Sequence, residues 1–243
     1  MRGLMRTSNP ALRAFEEARP VSSAEAMTIQ GTVNKAGLGL AITVGVAYWT
    51  AFDPTMQKLF LPALIAGFIV ALITCFKPSA APVTTPIYAA AEGAVVGTVS
   101  IIYESSYGGI VLQAATLTFA TLFVMLGLYR SGIIKATPVF KRVVVTATLT
   151  IMVFYLVSLI MSLFGAPLAI LSGGGTFSVG LSLVITAVAA LNLVLDFDLI
   201  ESAAGSRSAP KYMEWYGAFA LLVTLIWLYL EILRLLSKLQ SRR

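Results

Sequence analysis

Five carboxylic acids lie in or at the edges of long apolar runs: Glu92, Asp196, Asp198, Glu214 and Glu231. A charge at the centre of a bilayer helix costs roughly 2.5–3.5 kcal/mol on insertion scales. No Lys or Arg lies well inside the same runs, and a desolvated carboxyl without a cation favours its protonated form. Such a group can bind and release a proton, or exchange it for a cation. The chemistry to expect is gating or transport. Other chemistries are closed off. The chain has no histidine, which removes imidazole bases, His triads and His-ligated metals. Its single cysteine, Cys75, excludes an internal disulfide and any CxxC motif. No nucleophile stands beside a base, so an enzyme is not expected, and no resident cofactor is implied. The "SGGG" at 172–175 lacks the G-K-[ST] of a phosphate loop.

Asp196 is the leading candidate for a gate and for direct contact with a metal cation. It lies in "LNLVLDFDLIE", with Asn192 one turn earlier on the same helical face. Asp198 is turned about 200° away and groups with Glu201, where hydration at the interface accounts for both. The D-x-D-x-x-E spacing lacks the glycine of an EF-hand loop. Glu92, in "YAAAEGAVVG", fits a pore-lining or proton-binding group and equally an interhelical hydrogen-bond donor. Glu214 opens the last apolar run, where a negative charge suits a helix N-terminus. It would also lie at a depth similar to Asp196 in an antiparallel pair. Glu231 is ~25 Å further along that helix at 1.5 Å per residue, with Arg234 at i+3 as its local partner.

The elements that must position these acids follow from composition. Of 243 residues, 58% are hydrophobic and 12% charged, about half the charged share of an ordinary soluble domain, roughly 25%. A soluble enzyme or a nucleic-acid binder would need more charge on its surface. The apolar runs predict an all-α integral membrane protein with seven transmembrane helices, at 36–52, 59–76, 84–103, 108–129, 142–164, 177–200 and 213–236. Prolines in "FDPT" and "KPSAAPVTTP" mark breaks. Gly93 and Gly97 form a G-x-x-x-G step for close helix contact. Residues 1–35 read as a polar, partly disordered cytosolic tail with a short amphipathic stretch at "NPALRAFEEAR", and residues 36–243 as the membrane domain.

Basic residues orient the chain. With the N-terminus cytosolic, that side holds twelve of the 17 Lys and Arg residues, among them Arg130, Lys135, Lys141 and Arg142. The C-terminal Arg234, Lys238, Arg242 and Arg243 depart from the rule and leave the side of the C-terminus open. The expected location is the cell's inner (plasma) membrane. The expected partner is the lipid bilayer, with the tail available to a membrane protein such as a protease.

"LNLVLDFDLIE" resembles the close of the sixth helix in the Bax inhibitor family, and "WLYLEILRLLSKL" the close of its seventh. "NPALRAF" and "MTIQGTVNKAGL" look like the opening of a bacterial branch of that family. The resemblance implies a bundle with a central last helix and a pH-sensitive calcium leak, gated by two aspartates on helices six and seven. Ca2+ would then be the transported ion. The helix-six aspartate falls on Asp196. The helix-seven aspartate falls on Thr224, or on Glu231 if the alignment slides. Thr224 cannot share a proton with Asp196, which implies that any leak has an altered pH response. The alternative reading is a non-conducting membrane protein that binds and modulates a partner through its tail.

Overall fold

In lipid a backbone must satisfy its own amides and carbonyls, and a helix does so within one segment. The computed structural model describes residues 26–165, 175–206 and 208–242. Its helices are α1 (Ile29–Phe52), the four-residue α2 (Pro54–Gln57), α3 (Phe60–Phe76), α4 (Ala81–Ser106), α5 (Ile110–Arg130), α6 (Pro138–Leu163), α7 (Thr176–Ser206) and α8 (Met213–Gln240). A 3₁₀ turn at Pro78–Ala80 leads into α4. The seven long helices match the seven apolar runs. Six of them are long and apolar enough to cross a membrane, and α3, with 17 residues, is shorter. The fold is that of an all-α multi-pass membrane protein.

Three ends differ from the expected boundaries for local reasons. α1 starts at Ile29 instead of residue 36, because the Thr28 hydroxyl accepts from the Gly31 amide at 3.0 Å and caps the helix. α6 starts at Pro138 instead of residue 142, because Thr137 caps it and proline suits the first helical position. α7 runs on to Ser206 instead of 200, since "ESAAGS" holds no proline, its alanines favour a helix and Gly205 lies only at its end. The turn between α4 and α5, at "ESSYGG", is closed by its own residues. Gly109 adopts φ 83°, and the Glu104 carboxylate accepts from the Gly109 and Val111 amides at 2.6 and 3.0 Å. The "NPALRAFEEAR" stretch and most of 165–175 lie outside the described residues.

The described residues divide into two compact units, one within 26–98 and 198–222, the other within 99–197 and 223–242. In the first, the G-x-x-x-G step packs on α1. A Cβ added at Gly93 would meet the Thr43 carbonyl oxygen at 2.7 Å, and one at Gly97 the Ala47 carbonyl oxygen at 2.5 Å. The Thr43 hydroxyl also donates to the Ala89 carbonyl at 3.1 Å. Backbones this close leave no room for a side chain. α8 is well buried, with Leu222, Leu228 and Leu233 fully enclosed. α6 is the opposite case and exposes most of its apolar surface, as a lipid-facing helix does.

Gly97→Val should therefore lower the melting temperature of detergent-purified protein, by the equivalent of about 1–3 kcal/mol for overpacking. Gly45→Ala, where a Cβ meets nothing within 4 Å, should leave it unchanged. Thermal unfolding followed by circular dichroism separates the two.

Candidate functional site

In the second unit, α7 carries Asp196 and α8 carries Thr224. The Thr224 side chain reaches the Asp196 carboxyl. The other view of this carboxyl is unusual: its Oδ2 is buried with no hydrogen-bond partner among the described residues. Nearly all buried polar atoms in folded proteins find a partner, so an orphaned carboxyl oxygen is a place for a proton or a cation. Thr224 is itself buried. The two positions that the family resemblance assigns to the carboxylate pair are thus side by side, with a hydroxyl in place of the second acid.

Asn192 shares the helix face of Asp196 but is engaged elsewhere. Its Nδ2 donates to the Thr148 hydroxyl and to the Val188 carbonyl, both at 2.8 Å. Glu231, the other candidate for the second carboxylate, is almost fully buried and belongs to a separate cluster. Its Oε1 accepts from Tyr155 at 2.6 Å and from Trp227 at 3.3 Å, and Arg234 pairs with it at 3.1 Å. The expected i, i+3 pairing with Arg234 is there. Tyr155 on α6, which also accepts from Arg234 at 2.5 Å, has no signature in the sequence. Four residues past Arg234, the buried Lys238 donates to the Ser182 hydroxyl at 2.8 Å and to the Ser178 carbonyl.

The first unit holds Glu92 and Glu214, together with Asp198 at its edge. Glu92 is half-buried and hydrogen-bonded to the buried Tyr88, and its carboxylate lies against Gly67 of α3, where a Cβ would come within 3.1 Å of Oε1. Glu214 is fully enclosed. Its Oε1 accepts from the Thr28 amide at 2.9 Å and the Thr28 hydroxyl at 2.7 Å, and pairs with Lys211 at 3.0 Å. Its Oε2 pairs with Lys35. The expectation of similar depth for Glu214 and Asp196 rested on α7 ending at 200. With α7 continuing to Ser206, Asp196 lies ten residues before its helix ends, whereas Glu214 is the second residue of α8. The expected absence of a basic partner also fails for Glu214. Lys211 was near in sequence, and Lys35 is 179 positions away. The expected role at a helix N-terminus is met in an unforeseen way, because the carboxylate holds the cap residue of α1.

These observations define a multi-pass helical membrane protein with acids buried among its helices and, among the described residues, one buried carboxyl oxygen left unpartnered. The chain belongs to the Bax inhibitor 1 like family, whose model matches residues 9–241, nearly the whole length. No curated protein and no solved structure matches it.

Removing the Glu214 carboxylate strands the Lys35 ammonium and the Thr28 amide. Glu214→Ala should cost about 3 kcal/mol, at the low end for a broken buried pair because Lys211 is half-hydrated. Chemical unfolding in detergent would read this, and Lys211→Ala should cost much less.

Proposed function

We propose that the protein passes a cation, Ca2+ or a related ion, passively across the membrane, with Asp196 as the gating or ion-contacting residue. The observation that carries this reading is the buried, unpartnered Oδ2 of Asp196 beside Thr224. A carboxylate and a hydroxyl supply few of the six to eight oxygens Ca2+ prefers, and the described residues contain no group of three acids that could cage an ion. Weak, incomplete coordination suits passage, because a conducted ion must leave as readily as it enters. Absence of histidine and of a nucleophile–base pair favours a passage over a catalyst. The distribution of basic residues supports an N-terminus in the cytosol and a place in the inner (plasma) membrane.

The sign of the pH response follows from charge. A cation is attracted to the ionised carboxyl, so flux should rise as the proton leaves. In calcium-indicator liposomes, Asp196→Asn should lower flux about tenfold, equivalent to ~1.4 kcal/mol of barrier, and flatten its pH dependence. Thr224→Asp should steepen that dependence, since two adjacent carboxyls share one proton. Absence of flux in the unaltered protein from about pH 5 to 8 would sink the proposal.

A further inference from the structure

α6 and α7 border a groove of about 780 Å³ in the second unit. On α6 its lining runs from Arg142 to Phe154, about 18 Å at 1.5 Å per residue. That is slightly more than half of a ~30 Å hydrocarbon core, the depth reached by the chains of one leaflet. Phe177 and Val184 line it from α7. The groove makes little demand for hydrogen bonds, since even the Thr150 hydroxyl on its wall donates back to the Thr146 carbonyl of its own helix at 2.9 Å. Such a surface selects hydrocarbon.

The α6 start of the lining is different. Arg142 is exposed, and no carboxylate pairs with it among the described residues. It closes a run of four cations in the sequence, Arg130, Lys135, Lys141 and Arg142. Apolar side chains are interleaved with these cations, and Ile133 and Val139 are about three-quarters and two-thirds exposed, at 74% and 69%. Cations alternating with exposed aliphatics at a helix start form an interfacial surface that attracts negative headgroups.

We propose that the α6–α7 groove is a binding site for an anionic phospholipid, with an acyl chain along the groove and the phosphate on Arg142. The chemistry divides cleanly. The groove supplies affinity for the chain, and Arg142 supplies preference for the negative headgroup, which its bidentate guanidinium suits.

The test is native mass spectrometry of the full chain released from micelles containing equal phosphatidylglycerol and phosphatidylcholine. The unaltered protein should retain phosphatidylglycerol in preference to phosphatidylcholine. Arg142→Gln should lower that preference about fivefold, with phosphatidylglycerol retention falling more than phosphatidylcholine retention. Thr150→Trp, which fills the groove, should reduce retention of both lipids, and Lys58→Gln should change neither. Circular dichroism of each variant confirms that its helices are intact. Equal retention of the two lipids by the unaltered protein would overturn the proposal. So would full retention by Thr150→Trp, or a homodimer that seals the groove and carries no lipid.

Discussion

A carboxylate removed from water has to find its donors in the protein, and Glu214 finds them in Thr28, Lys35 and Lys211. Much of the first unit is arranged around that requirement. The Thr28 amide and hydroxyl are held, so α1 has a fixed starting point. Lys35 is drawn inward two turns later and lies over the Trp215 ring at 5.7 Å, where cation and ring attract. Glycine at position 31 leaves room for the Glu214 carboxylate, which a Cβ there would push aside. The chain before the helix is tied as well, through an antiparallel bridge between Ala26 and Pro210 and the Met27 amide on the Ala209 carbonyl at 2.8 Å.

Elsewhere the same constraint is met by smaller groups. Thr50, Thr98 and Thr118 turn their hydroxyls back onto the carbonyl four residues earlier, which satisfies them without a partner helix. Others reach outward. Thr43 joins α1 to α4, the Thr74 and Thr84 hydroxyls meet at 2.7 Å, and Ser100 meets Tyr229 at 2.7 Å. Against this background of satisfied groups, the orphaned oxygen of Asp196 stands apart. In the second unit the hydrogen bonding is otherwise closed around Glu231, Arg234 and Lys238.

The helices themselves were legible, because a run of apolar residues long enough for a bilayer has few other solutions. Their ends were less so. The first seven residues of α1 include Gln30, Asn34 and Lys35 and look like tail; what makes them helical is a cap and a carboxylate from the far end of the chain. The G-x-x-x-G step was visible, but not that α1 would fill it. At the site, periodicity picked out Asp196 and the i, i+3 pair of Glu231 with Arg234. The family resemblance, not spacing, brought Thr224 into view. Lys35 and Tyr155 could not be read, since their partners lie 179 and 76 positions away and only tertiary packing brings them together.

The short helix α3 has a consequence for the surrounding lipid. Seventeen residues reach about 25 Å at 1.5 Å each, some 5 Å less than a typical hydrocarbon core. Its neighbours in sequence, the single turn of α2 and the 3₁₀ turn at Pro78–Ala80, carry Asp53, Lys58 and Lys77 at their edges and belong with the headgroups. Phe68, Ile69 and Phe76 are exposed along it, an apolar face suited to lipid. For α3 to cross, the bilayer beside it thins or flanking side chains such as Lys58 and Lys77 reach out to the headgroups, at a cost of a fraction of a kcal/mol per ångström. A crossing α3 would thus be accommodated at lower cost by a thinner membrane than by a thick one.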